Sequence, residues 1–198
     1  LTSAGFDALG IGSMEEPGFL REAGIELPMY FDQGMYSWNH LAGAAMERYG
    51  ADRLTIPVEL NEREIRDSGV QGEMIVYGYL PMMISAQCIR KTTLGCSGKL
   101  EVMWLKDRKD MRFPVVNQCR FCYNTIYNSA PLSLLGLSEQ VTGLKPNAVR
   151  LNFTVEEPAA AGEILDAFFE EYGMSEKAAE PPVLRNQFTR GHFKRGVE

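Results

Sequence analysis

The sequence predicts an α/β fold, a partial TIM-like (β/α) barrel made of C-terminal strands, with an inserted cysteine loop and β-hairpin. Three observations lead to this prediction. Short apolar runs alternate with amphipathic segments over residues 6–79, a stretch rich in Gly, Ser, Thr and Cys interrupts them, and the alternation resumes near residue 138. Alternation at this pace is typical of βαβ units and a parallel sheet.

The elements before residue 80 follow from apolar runs and helix-ending glycines. Strands are predicted at 6–11, 27–31, 53–58 and 73–79. Helices are predicted at 15–23, 38–49 and 61–67. Ser37 is the predicted N-cap of the second helix, because a hydroxyl before an amphipathic run satisfies a free backbone N–H. Gly24 and Gly50 are the predicted stops of the first two helices.

Residues 84–131 are predicted to form a cysteine-bearing insertion. Within it, apolar runs at 100–105 and 113–116 flank a charged turn, which predicts a β-hairpin. The βα pattern then resumes with a helix at 138–144, a strand at 148–153, a helix at 157–172 and a linker or loop at 176–182. This gives about five barrel-type strands, whereas a closed barrel needs eight. We therefore expect residues 1–198 to be a single domain and a fragment of a larger barrel.

Composition excludes several classes of protein. The chain has 198 residues, of which 45% are hydrophobic and 23% charged, so it can build a core. Its net charge of −6 makes it a poor nonspecific binder of RNA or DNA. No apolar run approaches the roughly 20 residues that cross a bilayer, so no membrane partner is expected. The N-terminal stretch has neither the basic segment nor the apolar run of a signal peptide, and a cytoplasmic location is predicted.

The four cysteines are the most informative feature of the chain. Cys88, Cys96, Cys119 and Cys122 are the only ones, and they lie within one short region. Four thiolates in one neighbourhood can hold an iron–sulfur cluster or complete a tetrahedral zinc site. Only one CxxC pair is present, which differs from a zinc-ribbon pattern and favours a cluster. Buried inert cysteines and disulfides are the alternatives, and a disulfide would need an oxidising compartment.

Three further residues are weak candidates for catalytic roles. Glu59 directly follows a predicted strand, at the end where barrel enzymes place their chemistry, or else it helps to cap the helix at 61–67. Arg120, beside Cys119, is expected to donate hydrogen bonds to cluster sulfurs or to an anionic substrate, or else to form a surface ion pair. Arg150 lies within a predicted strand, where it either reaches an anionic ligand or pairs with an acid.

Seven segments together resemble the collagenase-like peptidase family U-32. They occur in the family's order: PVELNEREI at 57–65, EMIVYGYLPMM at 73–83 followed by Cys88, LKDRKDMRFPV at 105–115, CR at 119–120, NSAPL at 128–132, AVRLNFT at 148–154 and TRGHFKRGVE at 189–198. The match runs over nearly the whole chain and corresponds to the C-terminal part of that family's barrel. The rest of the barrel, or other domains of a longer chain, would then be a partner, and the fragment alone would either self-associate or depend on the missing half.

The resemblance implies two competing functions. The family was named for protease activity, and other members are oxygen-independent hydroxylation proteins acting on RNA or a ubiquinone precursor, with a [4Fe–4S] cluster on four cysteines. Cys88 matches the cysteine after the glycine-containing strand, and Cys119 matches the cysteine of the CR pair. Cys96 fits an intervening cysteine, while Cys122 is at a different spacing.

The residues themselves give little support to a peptidase. His40 and His192 are the only histidines, and the chain has neither a GxSxG nucleophile elbow nor an HExxH metal helix. The leading expectation is therefore an iron–sulfur-dependent hydroxylation protein acting on an RNA base or a small aromatic. The alternatives are a collagenase-like protease and a noncatalytic zinc-binding structural domain.

Overall fold

The computed structural model describes residues 5–174 and 188–196, so the predicted linker at 176–182 lies outside it. Over these residues the chain is a mixed α/β protein. The strands are β1 (Leu9–Ile11), β2 (Met29–Phe31), β3 (Arg53–Leu54), β4 (Glu73–Gly78), β5 (Pro81–Ser85), β6 (Glu101–Lys106), β7 (Arg112–Gln118), β8 (Tyr123–Tyr127), β9 (Leu132–Ser133) and β10 (Ala148–Asn152). The helices are α1 (Glu16–Glu22), α2 (His40–Tyr49), α3 (Glu62–Ser68), α4 (Ile89–Thr93), α5 (Ser138–Gly143) and α6 (Pro158–Glu171).

The described chain divides into two compact units. Residues 5–76, 137–150 and 190–196 make up the first unit, and residues 77–136, 151–174 and 188–189 make up the second. The strands form three small sheets, in the orders β1-β2-β3, β10-β4-β9 and β5-β8-β7-β6, with no closed barrel in the part of the chain described here. The predicted α/β class is therefore confirmed.

The first unit contains the parallel strands that the sequence predicts. β1 pairs in parallel with β2, and β2 pairs in parallel with β3. A parallel bridge between Thr55, which follows β3, and Glu73, the first residue of β4, extends this parallel pairing. Ile11, Phe31 and Leu54 come from successive strands and are almost fully buried, and they pack in one cluster with Leu20, Met35 and Val70. Alternating strands and helices thus bury one apolar set, as expected for βαβ units.

Helix boundaries in the first unit follow local capping chemistry. Asn61 accepts a hydrogen bond from Glu64 N at 2.9 Å, and the Glu64 carboxylate accepts one from Asn61 N at 2.8 Å. This reciprocal capping box starts α3. The prediction that Ser37 caps α2 is wrong: Asn39 accepts from Ala42 N at 3.0 Å, while the Ser37 side chain is buried and its hydroxyl faces Thr55 O. Asn39 lies two residues closer to the amphipathic run and competes better for its N–H groups.

The second unit contains a four-stranded antiparallel sheet, of which the sequence predicts only one hairpin. That hairpin is β6–β7, with Glu101 opposite Asn117 and Lys106 opposite Arg112. β5 and β8 complete the sheet and were not predicted. β5 begins with a proline and is mostly exposed, and β8 contains a buried asparagine, so neither shows the alternation of a half-buried strand.

No helix among the described residues combines the length and the apolar character needed to span a bilayer.

Candidate metal centre

The antiparallel sheet brings the four cysteines to one end of the second unit. Cys88 follows β5, Cys96 precedes β6, and Cys119 and Cys122 lie in the turn between β7 and β8. The strand order is β5-β8-β7-β6, and neighbouring strands are antiparallel. One end of the sheet therefore contains the end of β5, the start of β6 and the β7–β8 turn. The cysteines are therefore neighbours because of strand direction, although thirty-odd residues separate the first from the last.

Each cysteine has its own local setting, and none of the four forms a disulfide. Cys88 is the N-cap of α4, and its sulfur accepts a hydrogen bond from Lys91 N at 3.4 Å. The Cys119 thiol donates to Lys99 O at 2.9 Å. Cys122 has a left-handed backbone (φ 57°) and its thiol faces Cys119 O at 3.8 Å. Cys96 is exposed.

The Cys119 thiol is affected electrostatically by the Cys96 and Cys88 thiols. Burial is the largest cause that raises the pKa of the Cys119 thiol, followed by the charges of Cys96 and Cys88. Glu101 raises this pKa further, and a hydrogen bond from Ser97 opposes the change. Cys122 is not among these groups. Like charges brought together disfavour the thiolate, which is the situation that a bound cation would relieve.

The cysteines are suitable ligands for a metal or cluster and lie in one region, but their sulfur atoms are not arranged in a coordination geometry. Thiolates are the ligands that iron–sulfur clusters and zinc prefer. Among the described residues, however, no group of three or more His, Cys, Asp or Glu side chains is arranged to hold a metal ion. The Cys119 proton, which now bonds to Lys99 O, would have to leave before the sulfur could bind a metal.

Two buried asparagines hold the cysteine segments, and sequence reasoning missed both. Asn117 and Asn124 lie opposite each other on β7 and β8 and are fully buried. Asn117 Oδ1 accepts from Glu101 N at 2.6 Å, and its Nδ2 donates to Lys99 O at 3.3 Å and to Cys119 Sγ at 3.4 Å. Asn124 Nδ2 donates to Gln87 O at 2.7 Å, one residue before Cys88. For Asn117 the available signal was an asparagine that follows an apolar strand run two residues before a cysteine, whereas Asn124, after Cys122, had no such signal.

An ion pair fixes the loop that carries Cys96. Arg90 Nε lies 3.0 Å from Glu101 Oε2, and Arg90 Nη1 donates to Gly95 O at 3.1 Å. The Arg90 hydrogen bond is the main reason why the pKa of Glu101 is held below its usual range, with Ser97 and Lys99 contributing in the same direction. The short helix α4 is thereby tied both to the start of β6 and to the residue before Cys96.

The candidate Arg120 is exposed in the β7–β8 turn. Its guanidinium lies 5.5 Å from the centre of the Phe121 ring, a cation–π contact. Phe121 in turn stacks on Tyr123, with ring centres 6.4 Å apart. The contact predicted for Arg120, with a cluster sulfur or an anionic substrate, stays a prediction.

The candidates Glu59 and Arg150 belong to the first unit, whereas the cysteines belong to the second. Arg150 Nη2 lies 2.6 Å from Asp32 Oδ1, and its Nε lies 3.1 Å from Glu73 Oε1. These contacts correspond to the alternative that Arg150 pairs with acids. Glu59 lies in the turn after β3 and makes no hydrogen bond or ion pair with the residues described here. Its predicted capping role is not found, because Asn61 and Glu64 cap α3.

Comparison with known proteins identifies no relative. No family model, no curated protein and no solved structure matches the chain.

Proposed function

We propose that the second unit binds a [4Fe–4S] cluster through Cys88, Cys96 and Cys119, with Cys122 as the fourth protein ligand or with one iron open. The observation that carries this proposal is that the first three cysteines lie at one end of an antiparallel sheet, where the charges of Cys88 and Cys96 act on the Cys119 thiol. A bound cluster would supply one-electron redox chemistry. Asn117 would orient the Cys119 sulfur, and Arg120 would hold an anionic part of a substrate.

The proposed activity is hydroxylation of an RNA base or a small aromatic, by a cytoplasmic protein. It rests on the resemblance to the family U-32 and on the thiol chemistry together. On this proposal the chain is the C-terminal part of a (β/α) barrel, and its partner is the rest of the barrel. A net charge of −6 means that RNA would have to be recruited by a local basic patch or by that partner.

A zinc-binding structural domain is the second candidate. It is favoured by the four thiols themselves, because a closed tetrahedral site of four sulfurs is typical of structural zinc. The zinc would join β5, α4 and the β7–β8 turn without leaving a position for substrate.

A collagenase-like peptidase stays a prediction of the resemblance alone. Among the described residues, His192 Nδ1 bonds to Gly196 O at 2.8 Å, and exposed His40 begins α2. Neither histidine makes a hydrogen bond to a Ser, Cys or Thr side chain in this part of the chain, as a nucleophilic mechanism requires.

Metal and sulfide content of protein purified without oxygen tests these candidates. Iron and acid-labile sulfide near four per chain are expected, with loss of both in Cys88→Ala and Cys119→Ala. Thr93→Ala is the matched control, because its hydroxyl bonds only to Ile89 O within α4. Stoichiometric zinc without iron would replace the cluster by the structural site. Full iron and sulfide in Cys119→Ala would refute the ligand assignment, and peptide hydrolysis unaffected by either cysteine change would favour the peptidase.

A further inference from the structure

A second feature of the second unit lies away from all four cysteines, around Glu156. This residue follows β10 and precedes α6. Its Oε2 accepts hydrogen bonds from the backbone N–H groups of Thr154 at 2.6 Å and Val155 at 3.0 Å. The carboxylate is therefore fixed by the local chain and not by the rotamer preference of a free side chain.

The other carboxylate oxygen, Glu156 Oε1, is buried and has no partner within hydrogen-bond geometry, although the Tyr77 hydroxyl is near enough to the carboxylate to interact with it. Nor does the carboxylate form an ion pair with any residue in the described part of the chain. A buried charged oxygen without a partner is costly to the folded state. Such atoms in native proteins call for an explanation, and a ligand group that completes the hydrogen bond is one.

Three phenols lie near enough to this carboxylate to be affected by its charge. Its negative charge raises the pKa of Tyr77, Tyr79 and Tyr127, although burial is the larger cause in each case. The phenols are thus neutral at ordinary pH, and Glu156 is the one acidic group among these four residues. The Tyr77 ring lies 5.6 Å from that of Phe153, so an aromatic wall adjoins the acid.

Strands β4 and β10 approach each other closely beside this cluster. Gly78, between Tyr77 and Tyr79, has φ 149°, and a Cβ there would lie 2.5 Å from Asn152 O. Only glycine permits this approach of β4 to β10. Tyr77 itself is buried, whereas Tyr79, Tyr127 and Glu156 are each partly exposed and form the outer side of the cluster.

We propose that Glu156, with Tyr77, Tyr79 and Tyr127, binds a cationic nitrogen group that carries N–H donors, a primary ammonium or a guanidinium. The group would donate to Glu156 Oε1 and to phenol oxygens, against aromatic rings that favour cations. An anion is disfavoured by the charge of the site. A divalent metal ion would want several oxygen ligands of negative charge, and a single carboxylate does not supply them.

The probe is n-butylammonium chloride, titrated into the full chain and followed by the chemical shifts of the tyrosine rings. Saturable binding is expected for the native chain and loss of at least about tenfold in affinity for Glu156→Gln. The amide keeps an oxygen for Thr154 N and Val155 N but removes the charge. Glu157→Gln is the control, since Glu157 is the exposed neighbour that precedes α6, and its affinity should equal that of the native chain.

Further probes test whether the N–H donors are needed and whether the ligand is a peptide side chain or a free amine. Tetramethylammonium has the charge but no N–H donor, and it should bind at least about tenfold more weakly than butylammonium. N-acetyl-lysine amide binding as well as butylammonium would indicate a peptide side chain as the source, and weaker binding a free amine. If Glu156→Gln does not fold, Tyr79→Phe and Tyr127→Phe replace it, each with an expected loss of about threefold. No saturable binding, or equal binding by the Glu156 and Glu157 variants, would overturn the proposal.

Discussion

Asn117 lies directly opposite Asn124 in the β7–β8 ladder, and both side chains are fully buried. Together they bond to the residue before Cys88, to Cys119 itself and to the backbone at 99 and 101. Two amides on the inner strands of an antiparallel sheet, near the ends of those strands, thus hold three separate loop segments. This arrangement makes Asn117 the residue whose loss should disturb the cysteines most without removing one.

The first prediction is that Asn117→Ala lowers both stability and metal content. It removes three hydrogen bonds from a buried site and takes from Glu101 N the side-chain acceptor that it bonds to, a cost of about 1–3 kcal/mol. The urea midpoint should fall, and anaerobically purified protein should hold less than half of the native iron or zinc. Asn147→Ala, at an exposed asparagine, should change neither value.

The two readouts separate two roles of Asn117. A lower midpoint with full metal content would make it a structural residue only. An unchanged midpoint with lost metal would mean that its bond to Cys119 Sγ is the part that matters.

The second prediction concerns the role of Arg150. Arg150→Met leaves Glu73, the more buried of its two partners, without a counter-charge. Because Arg150 and Asp32 are partly exposed, the loss should be about 1–2 kcal/mol, below the range for a fully buried pair. Thermal unfolding measures it.

The double variant Arg150→Met with Glu73→Gln should recover most of that loss, since it removes the uncompensated charge as well. Recovery would establish a structural ion-pair network. Additive losses would contradict it and return Arg150 to the list of ligand-binding candidates.

How far the sequence predicts this fold depends on how local the determining interactions are. The parallel strands before residue 80 and the C-terminal stop of α2 at Gly50 depend on apolar runs and single capping residues, and they were predicted. Residues 81–85 have no polar–apolar alternation, because β5 is an edge strand stabilised by pairing with β8. Pairing between distant segments is decided by tertiary structure, which no local pattern contains.

The candidate site divides in the same way. The cysteines were found because thiols are rare and reactive, and their proximity follows from strand order, which the predicted β6–β7 hairpin only half supplies. Asn117 and Glu156 were missed because their importance comes from burial and from their hydrogen-bond partners. Neither quantity can be read from a single sequence.

The third prediction is that the isolated chain self-associates through the antiparallel sheet. The register places Ile84 and Val102 in one row across the sheet, with Trp104 two residues further along β6 on the same face. All three side chains are about half or more exposed, on the two edge strands. Exposed apolar edge strands favour pairing with another chain.

Sedimentation velocity over a concentration series measures this association. Ile84→Lys with Trp104→Lys should shift the protein toward monomer, whereas Leu41→Lys should not. Leu41 is the matched control because it is as exposed as Ile84, at 70%, but lies on α2. A native chain that remains monomeric at every concentration would contradict the prediction.

The fourth prediction compares two glycines with opposite outcomes. Gly78→Ala should destabilise the protein, because its φ of 149° is unfavourable for any side chain and the new Cβ would lie 2.5 Å from Asn152 O. Gly162→Ala should stabilise it by about 0.4–1 kcal/mol, because Gly162 lies inside α6 with nothing within 4 Å of its added Cβ. Both changes add one methyl group, so the difference in unfolding midpoint isolates the backbone conformation and the contact.

Since Gly78 separates Tyr77 from Tyr79, Gly78→Ala should also weaken butylammonium binding, whereas Gly162→Ala should leave it unchanged. Equal midpoints for the two variants would mean that β4 and β10 are not closely packed at Gly78.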